Sequence, residues 1–296
     1  MSFITNIRSV AKYESKILVR SWFFRIFTLL AVVFLGFFNF AMMLMEDNFG
    51  LWFVKAVSSN IPYLNLLLLN TGQAVVAVFL SSEFLKRDKK LDTSEVFYVR
   101  PLSNAEYVVG KIWGNLRVFL LLNLLVLAIV LAFNFMASGI AVDLPAYGVY
   151  FLLISIPTLI FIIGLSIFLM LLLRNQALTF ILLLGYIGLT LFYIQDKFYY
   201  LFDYMVYNLP LFKSTIVGFS SLELILNHRA IYFFAGLGFI FFTIFLFKRL
   251  PNARRSHYPW LFLSLCMFLL AGTAGFRHVR SILREGEVRA LYTSIN

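Results

Sequence analysis

The feature that most constrains this chain is a series of long apolar runs that hardly any charged residue interrupts. A run of about 20 apolar residues is long enough to cross ~30 Å of hydrocarbon as an α-helix. Hydrophobic residues make up 61% of the sequence and charged residues 13%, whereas soluble domains have roughly 45–50% and 25%. A soluble fold cannot bury that much apolar surface. The sequence therefore predicts an all-α polytopic membrane protein built as one membrane domain.

Hydropathy predicts seven spans. The first is a retained signal anchor, because its apolar stretch exceeds the 7–15 residues of a cleaved signal and Met43–Glu46 contains no small-residue cleavage site. The predicted spans are Trp22–Met45, Ile61–Leu80, Trp113–Phe135, Tyr147–Leu173, Ala177–Ile194, Ile231–Phe247 and Trp260–Phe276.

The distribution of basic residues predicts the orientation. With a cytoplasmic N-terminus and alternating loops, 17 of the 25 lysines and arginines lie inside and 8 outside, which agrees with the positive-inside rule. An odd number of spans then places the C-terminal tail outside. Because the basic residues flank apolar runs, anionic lipid headgroups are the expected partner of the net charge of +11, and nucleic acid is not. The single Cys266 has no mate for a disulfide or a thiolate metal site.

Three segments outside the spans carry a pattern. Residues 3–20 place apolar residues on one helical face and Arg8, Lys12, Lys16 and Arg20 on another, which predicts an amphipathic interfacial helix; the alternative is a simple basic flank. We therefore divide the chain into this helix (1–21), a six-span domain (22–250), and a seventh span with a charged tail (251–296).

The second segment is the cytoplasmic loop from Ser81 to Lys111. The pattern predicts that Asp92–Glu95 caps a short surface helix and that Pro101 ends it. Ser103–Glu106 resembles a capping box that begins the helix of the third span. A solvated connector is the alternative interpretation.

The third segment is the outer stretch from Asp196 to Arg229. Apolar residues recur at helical spacing from Phe198 to Leu209, Pro210 ends that helix, and Leu222–Leu226 begins another apolar piece. Both pieces are too short to span, so we expect two re-entrant helices in the outer leaflet. An interfacial aromatic belt is the alternative.

The polar residues within the spans are informative because they are uncharged. No Asp, Glu, His or Lys lies near the centre of a span, so an ion-coupled carrier would lack the buried charge it needs. The amides either join helices by hydrogen bonds or line a translocation path. The candidate path residues are Asn65, Asn70, Gln73 and Asn123.

Signatures of catalysis are missing from the sequence. The three histidines have no metal-ligand spacing, and Gly110-Lys111 is not a phosphate loop because Ala105 and Ile112 stand where glycine and Ser or Thr belong. We expect no catalytic residue, metal or cofactor in this chain. Gly110 and Gly114 form a GxxxG motif, which indicates close helix packing.

The cytoplasmic loop resembles the first loop of type-2 permeases of ATP-binding-cassette transporters. That family has an acidic residue after the second span, a Thr-x-Glu helix, a Pro-Ser turn and a Gly-Lys pair; the matching positions are Glu83, Thr93–Glu95, Pro101–Ser103 and Gly110-Lys111. The resemblance implies a coupling helix at about Asp92–Val99 that docks on the ATPase. The coupling-loop residues it implies are Glu83, Asp92, Thr93, Glu95, Val96, Phe97, Arg100 and Pro101.

The resemblance covers roughly residues 3–250 and also matches the N-terminal helix to the family's elbow helix. The family usually stops after six spans, whereas this chain adds Trp260–Phe276. The resemblance implies a permease subunit of an exporter in a bacterial plasma (inner) membrane. It also implies that a separate ATP-binding subunit drives the permease, which pairs with an identical or different second permease half. The alternative from another class is a non-transporting membrane anchor or assembly factor. The substrate cannot be read from such a sequence.

Overall fold

The computed structural model describes residues 3–44, 59–82, 102–136, 142–194, 197–209, 211, 213–214, 218–219, 221–247 and 258–295. These residues form eight long helices, two of which, α5 and α6, include a π-helical turn. The helices are α1 Phe3–Arg20, α2 Trp22–Leu44, α3 Asn60–Ser82, α4 Asn104–Met136, α5 Leu144–Leu173, α6 Gln176–Ile194, α7 Leu222–Leu246 and α8 Tyr258–Ile295.

Helices α2 to α8 are each long and apolar enough to cross a membrane, and each overlaps one of the seven predicted apolar runs. The seven predicted spans therefore correspond to seven helices that are long and apolar enough to span, and the fold is that of an all-α polytopic membrane protein. Helix α4 has 33 residues and α8 has 38. At 1.5 Å per residue both exceed what ~30 Å of hydrocarbon requires, so part of each helix extends beyond it.

The prediction of two re-entrant helices between the fifth and sixth spans is wrong. Residues 197–209, which we call the outer segment after the side predicted for them, consist of turns and one short 3₁₀-helix, Phe198–Tyr200. A short hairpin then pairs Lys213–Ser214 with Gly218–Phe219. Leu222–Leu226 is the first part of α7, which begins nine residues before the predicted Ile231. The spacing of the apolar residues predicts a helix, but main-chain groups of the outer segment bond instead to side chains of α7 and α8.

Helix α3 lies at the centre of the bundle and packs against α2, α4, α5 and α6. Helices α5 and α7 cross where Gly164 meets Gly236: a Cβ built on Gly164 would lie 2.7 Å from the Gly236 carbonyl oxygen. Glycine at both positions allows the two backbones to touch. Helix α8 packs on α7, where the Ser264 hydroxyl donates to the Gly238 carbonyl at 2.9 Å.

The peripheral helices expose apolar side chains. Only 11%, 22% and 17% of the residues are buried in the most apolar stretches of α2, α6 and α8, against 67% in α3. Side chains such as Phe37, Ile181 and Leu269 are more than half exposed. Because water would oppose that exposure, these faces require lipid or another apolar partner.

Candidate functional site

The predicted coupling loop lies outside the described residues. This applies to all eight of its candidate residues: Glu83, Asp92, Thr93, Glu95, Val96, Phe97, Arg100 and Pro101. The structure begins again at Leu102, at the entrance to α4.

The capping box at the start of α4 is confirmed. The Ser103 amide donates to Glu106 Oε2 at 2.6 Å, and the Glu106 amide donates to Ser103 Oγ at 3.2 Å. These reciprocal bonds satisfy main-chain donors that a helix N-terminus leaves without partners. The other carboxylate oxygen of Glu106 accepts from Asn6 Nδ2 at 2.8 Å. The helix that follows the loop is therefore tied at its first turn to α1.

Helix α1 packs along the first turns of α4. A Cβ on Gly110 would lie 2.7 Å from the Val10 Cβ, and one on Gly114 would lie 2.7 Å from the Glu14 Cβ. These contacts and the Asn6–Glu106 bond advance by four residues along both helices, so α1 and α4 run side by side in the same direction. The close packing expected of the GxxxG motif is confirmed, and its partner is α1.

A buried ion pair joins the same two helices. Lys111 Nζ lies 2.9 Å from Glu14 Oε1, and the two side chains are 1% and 4% exposed. Lys111 Nζ also lies 5.1 Å from the centre of the Tyr107 ring. Removing either charge would leave the other buried without its partner, a costly state. Glu14 and Lys111 therefore hold α1 on α4 in one register.

The N-terminal helix itself is confirmed, with bounds Phe3–Arg20. Its apolar residues Val10, Ala11 and Leu18 are buried within the protein, rather than in the acyl region where we expected the apolar face to lie. Arg8 and Lys12 are exposed, as are Lys16 and Arg20. The basic face thus remains available to solvent or lipid headgroups.

Three of the four candidate path residues form one buried cluster. Asn70 Nδ2 donates to Asn123 Oδ1 at 3.0 Å, and Asn123 Nδ2 donates to Gln73 Oε1 at 2.8 Å. Ser155, on α5, donates its hydroxyl to Asn123 Oδ1 at 2.8 Å. Asn123 is therefore the hub of a network that joins α3, α4 and α5, and each of these four side chains is at most 1% exposed.

The fourth candidate, Asn65, belongs to a separate pair. Its amide exchanges hydrogen bonds with Asn39 of α2, at 2.7 and 3.1 Å. Within the described part of the chain, Asn70 Oδ1 and Gln73 Nε2 have no hydrogen-bond partner, so the larger cluster keeps one acceptor and one donor unused. The structure thus brings Asn70, Gln73 and Asn123 together and leaves Asn65 outside the group.

The sequence pattern does not reveal that Arg229, near the N-terminal end of α7, is buried. Arg229 is 2% exposed and donates to the carbonyls of Leu153 (2.6 Å), Ile154 (3.3 Å) and Tyr204 (2.9 Å), and to the Thr158 hydroxyl (2.8 Å). The Arg229 guanidinium therefore joins the outer segment to α5. Its contacts on α5 lie around the π-helical turn Phe151–Ser155. Pro210 and the charged residues give Asp196–Arg229 the pattern of one extramembrane stretch, which predicts a loop at Arg229.

Asp203 is a buried acidic residue of the outer segment. It is 2% exposed, and its two carboxylate oxygens accept from the main-chain amides of Tyr207 (3.0 Å) and Asn208 (2.8 Å). Burial raises the pKa of the Asp203 carboxyl, while these amides and the charge of Arg229 oppose that rise. Asp203 folds the outer segment back on itself.

The described residues contain no group of three or more His, Cys, Asp or Glu side chains placed to hold a metal ion. What they define is an all-α multi-pass membrane protein whose buried polar sites include the α1–α4 junction, the amide cluster and the Arg229 region. No family model, curated protein or solved structure matches this chain.

Proposed function

We propose that the chain is the permease subunit of an ATP-binding-cassette exporter, driven by a separate ATPase subunit and paired with a second permease half. The observation that carries the proposal is the α1–α4 junction. It lies directly after a loop whose sequence has the acidic, Thr-x-Glu, Pro-Ser and Gly-Lys features of type-2 permeases, and the Lys111 of that pattern is the residue that binds α1.

In this proposal the junction connects the ATPase to the membrane. A coupling helix at about Asp92–Val99 docks on the ATPase, and its displacement reaches α4 at Ser103. Because Glu106, Gly110, Lys111 and Gly114 fix α1 to α4, the two helices move together. Rigid, closely packed elements are what can carry a displacement from one site to another.

The exposed apolar faces of α2 and α6 are compatible with a second permease half, either identical or different. The proposed location is a bacterial plasma (inner) membrane with the N-terminus in the cytoplasm, where the basic face of α1 meets anionic headgroups.

Co-purification tests the proposal. The chain is expressed with the ATPase subunit encoded beside it, and we expect the two to purify together from detergent. Glu95→Ala and Phe97→Ala should weaken that complex and reduce transport-coupled ATP hydrolysis, while the control Glu223→Ala, on the exposed outer turn of α7, should not. If the wild-type chain retains no ATPase and the loop variants behave like the control, the assignment fails.

A second candidate function, a non-transporting membrane anchor or assembly factor, is favoured by one observation. The amides of Asn70, Gln73 and Asn123 bond to each other, to Ser155 and to main-chain carbonyls of their own helices, and they are sealed inside the bundle, as structural residues would be. An anchor should retain its partners when Asn70 or Gln73 is replaced by Leu. A permease that uses these amides as its path should keep its fold and its ATPase but lose flux.

A further inference from the structure

The outer segment has an unusual backbone. Phe198, Tyr199 and Tyr200 have φ angles of 52°, 58° and 61°, and Val206 has a φ of 68°. In this left-handed region the Cβ of an L-residue crowds its own main chain, so three consecutive non-glycine residues rarely adopt it. Such a conformation persists only where surrounding groups hold it, and strain of this kind occurs at sites that switch.

Two histidines hold the strained turn. His228 Nε2, from α7, lies 3.1 Å from the Tyr200 carbonyl oxygen, and His278 Nε2, from α8, lies 2.9 Å from the Tyr199 carbonyl oxygen. A carbonyl oxygen only accepts, so both Nε2 atoms carry the proton. Tyr232 adds a third bond from its hydroxyl to the Leu201 carbonyl. The turn is thus fastened to the bundle by donors from two spans.

The two imidazoles face each other in a closed environment. Their ring centres are 5.0 Å apart and both side chains are 0% exposed. Among the described residues, neither Nδ1 atom has a hydrogen-bond partner. A second proton on His228 would therefore be placed on a buried nitrogen that no acceptor serves, which is an expensive position for a charge. At His278 the Leu224 main chain, like that of Tyr199, favours a protonated ring, but burial opposes that protonation more strongly.

The charged and titratable groups around the pair oppose further positive charge. Arg229 is adjacent on α7, and each imidazole faces the other across the α7–α8 contact. The neutral Tyr232 ring stacks edge-on with His228 at 5.3 Å, and the outer segment presents the main chain of Tyr199 and Tyr200. In the described part of the chain, no carboxylate acts on either ring to balance a charge.

We propose that His228 and His278 form a proton-binding pair that keeps the outer segment closed while neutral and releases it when protonated. Two imidazolium rings at this separation, next to Arg229, repel each other, and lifting the outer segment admits water to both rings. The open state therefore binds more protons than the closed state, so acidification shifts the population towards opening. This device is independent of what drives transport and applies equally to a permease or an anchor.

Cysteine labelling of the purified full chain in detergent tests the proposal without depending on membrane sidedness. In a Cys266→Ser background, Met205→Cys reports opening, because Met205 is 2% exposed in the outer segment. Phe202→Cys, at a position 40% exposed in the same segment, is the matched control that corrects for the pH dependence of the thiol reaction itself. We expect the ratio of labelling rates, residue 205 over residue 202, to rise about threefold or more from pH 7.5 to pH 5.5.

His228→Gln with His278→Gln is the decisive variant, because glutamine retains an N–H donor but takes up no proton in this range. The labelling ratio of the double variant should then be the same at pH 7.5 and pH 5.5, whatever the size of that ratio. A ratio in the unaltered chain that does not change with pH overturns the proposal, and so does an equal change in the double variant. Each single substitution should give a smaller pH response, which keeps the test available if the double variant does not fold.

Discussion

Replacing Gly114 by alanine should loosen helix α1 from α4. The added Cβ would lie 2.7 Å from the Glu14 Cβ and 2.8 Å from the Ala11 carbonyl oxygen. Ordinary contact needs about 3.5 Å, so the backbones must separate by roughly 0.7 Å. Because one of the obstructing atoms is main chain, a change of rotamer cannot relieve the contact.

The expected magnitude combines two opposing effects. Overpacking a tight contact costs about 1–3 kcal/mol, and the upper part of that range, about 2–3 kcal/mol, applies where main-chain atoms obstruct the new group. Exchanging glycine for alanine within a helix returns about 1 kcal/mol. The net cost of Gly114→Ala is therefore about 1–2 kcal/mol, with additional loss if Ser15 Oγ leaves the Gly114 carbonyl, which it now contacts at 2.9 Å. A cost of that size raises the population of the detached helix by a factor of roughly 5–30.

Hydrogen exchange with mass spectrometry measures this population directly. Peptides from α1 should exchange faster by that factor in Gly114→Ala, while peptides from α7 should not change. Gly36→Ala in α2 is the matched control, because a Cβ there meets nothing within 4 Å, so α1 exchange should be unaffected. Unchanged or slower α1 exchange in Gly114→Ala would refute the close contact.

Three further predictions concern the buried charges. Arg229→Met should lower the thermal midpoint more than Arg229→Lys does. Met loses every hydrogen bond to the carbonyls, a destabilisation of about 3–5 kcal/mol, while Lys retains the charge but loses the planar guanidinium. Equal midpoints would contradict the bonding pattern. Lys111→Met alone should destabilise more than Lys111→Met combined with Glu14→Gln, since only the single variant leaves a buried charge; a double variant that melts lower than the single one would argue against the ion pair. The folded-state pKa of Asp203 is raised above its unfolded value, so ionisation of Asp203 lowers stability as pH rises through the folded pKa. Asp203→Asn should therefore flatten the pH dependence of the thermal midpoint above the usual carboxyl range. An unchanged pH dependence would contradict the raised pKa.

Local chemistry made parts of the structure predictable from sequence. The capping box at Ser103 and Glu106 depends on residues three positions apart, and the structure has both of its hydrogen bonds. Gly110 and Gly114 are four residues apart and so lie on the same helical face, which made their role in close packing predictable from spacing alone. Their partner did not follow, since it is a helix about 100 residues earlier in the chain.

The class of protein and the number of helices long enough to span follow from sequence alone, because in lipid each apolar run must satisfy its own main chain as a helix. The outer segment and the buried polar sites depend on tertiary contacts. The spacing of Phe198 to Leu209 favours a helix, but His228, His278 and Arg229 bind its carbonyls from distant spans and hold left-handed turns instead. Long-range hydrogen bonds of this kind, in a medium that offers few other partners, outweigh local propensity, and no window of sequence contains both of their ends.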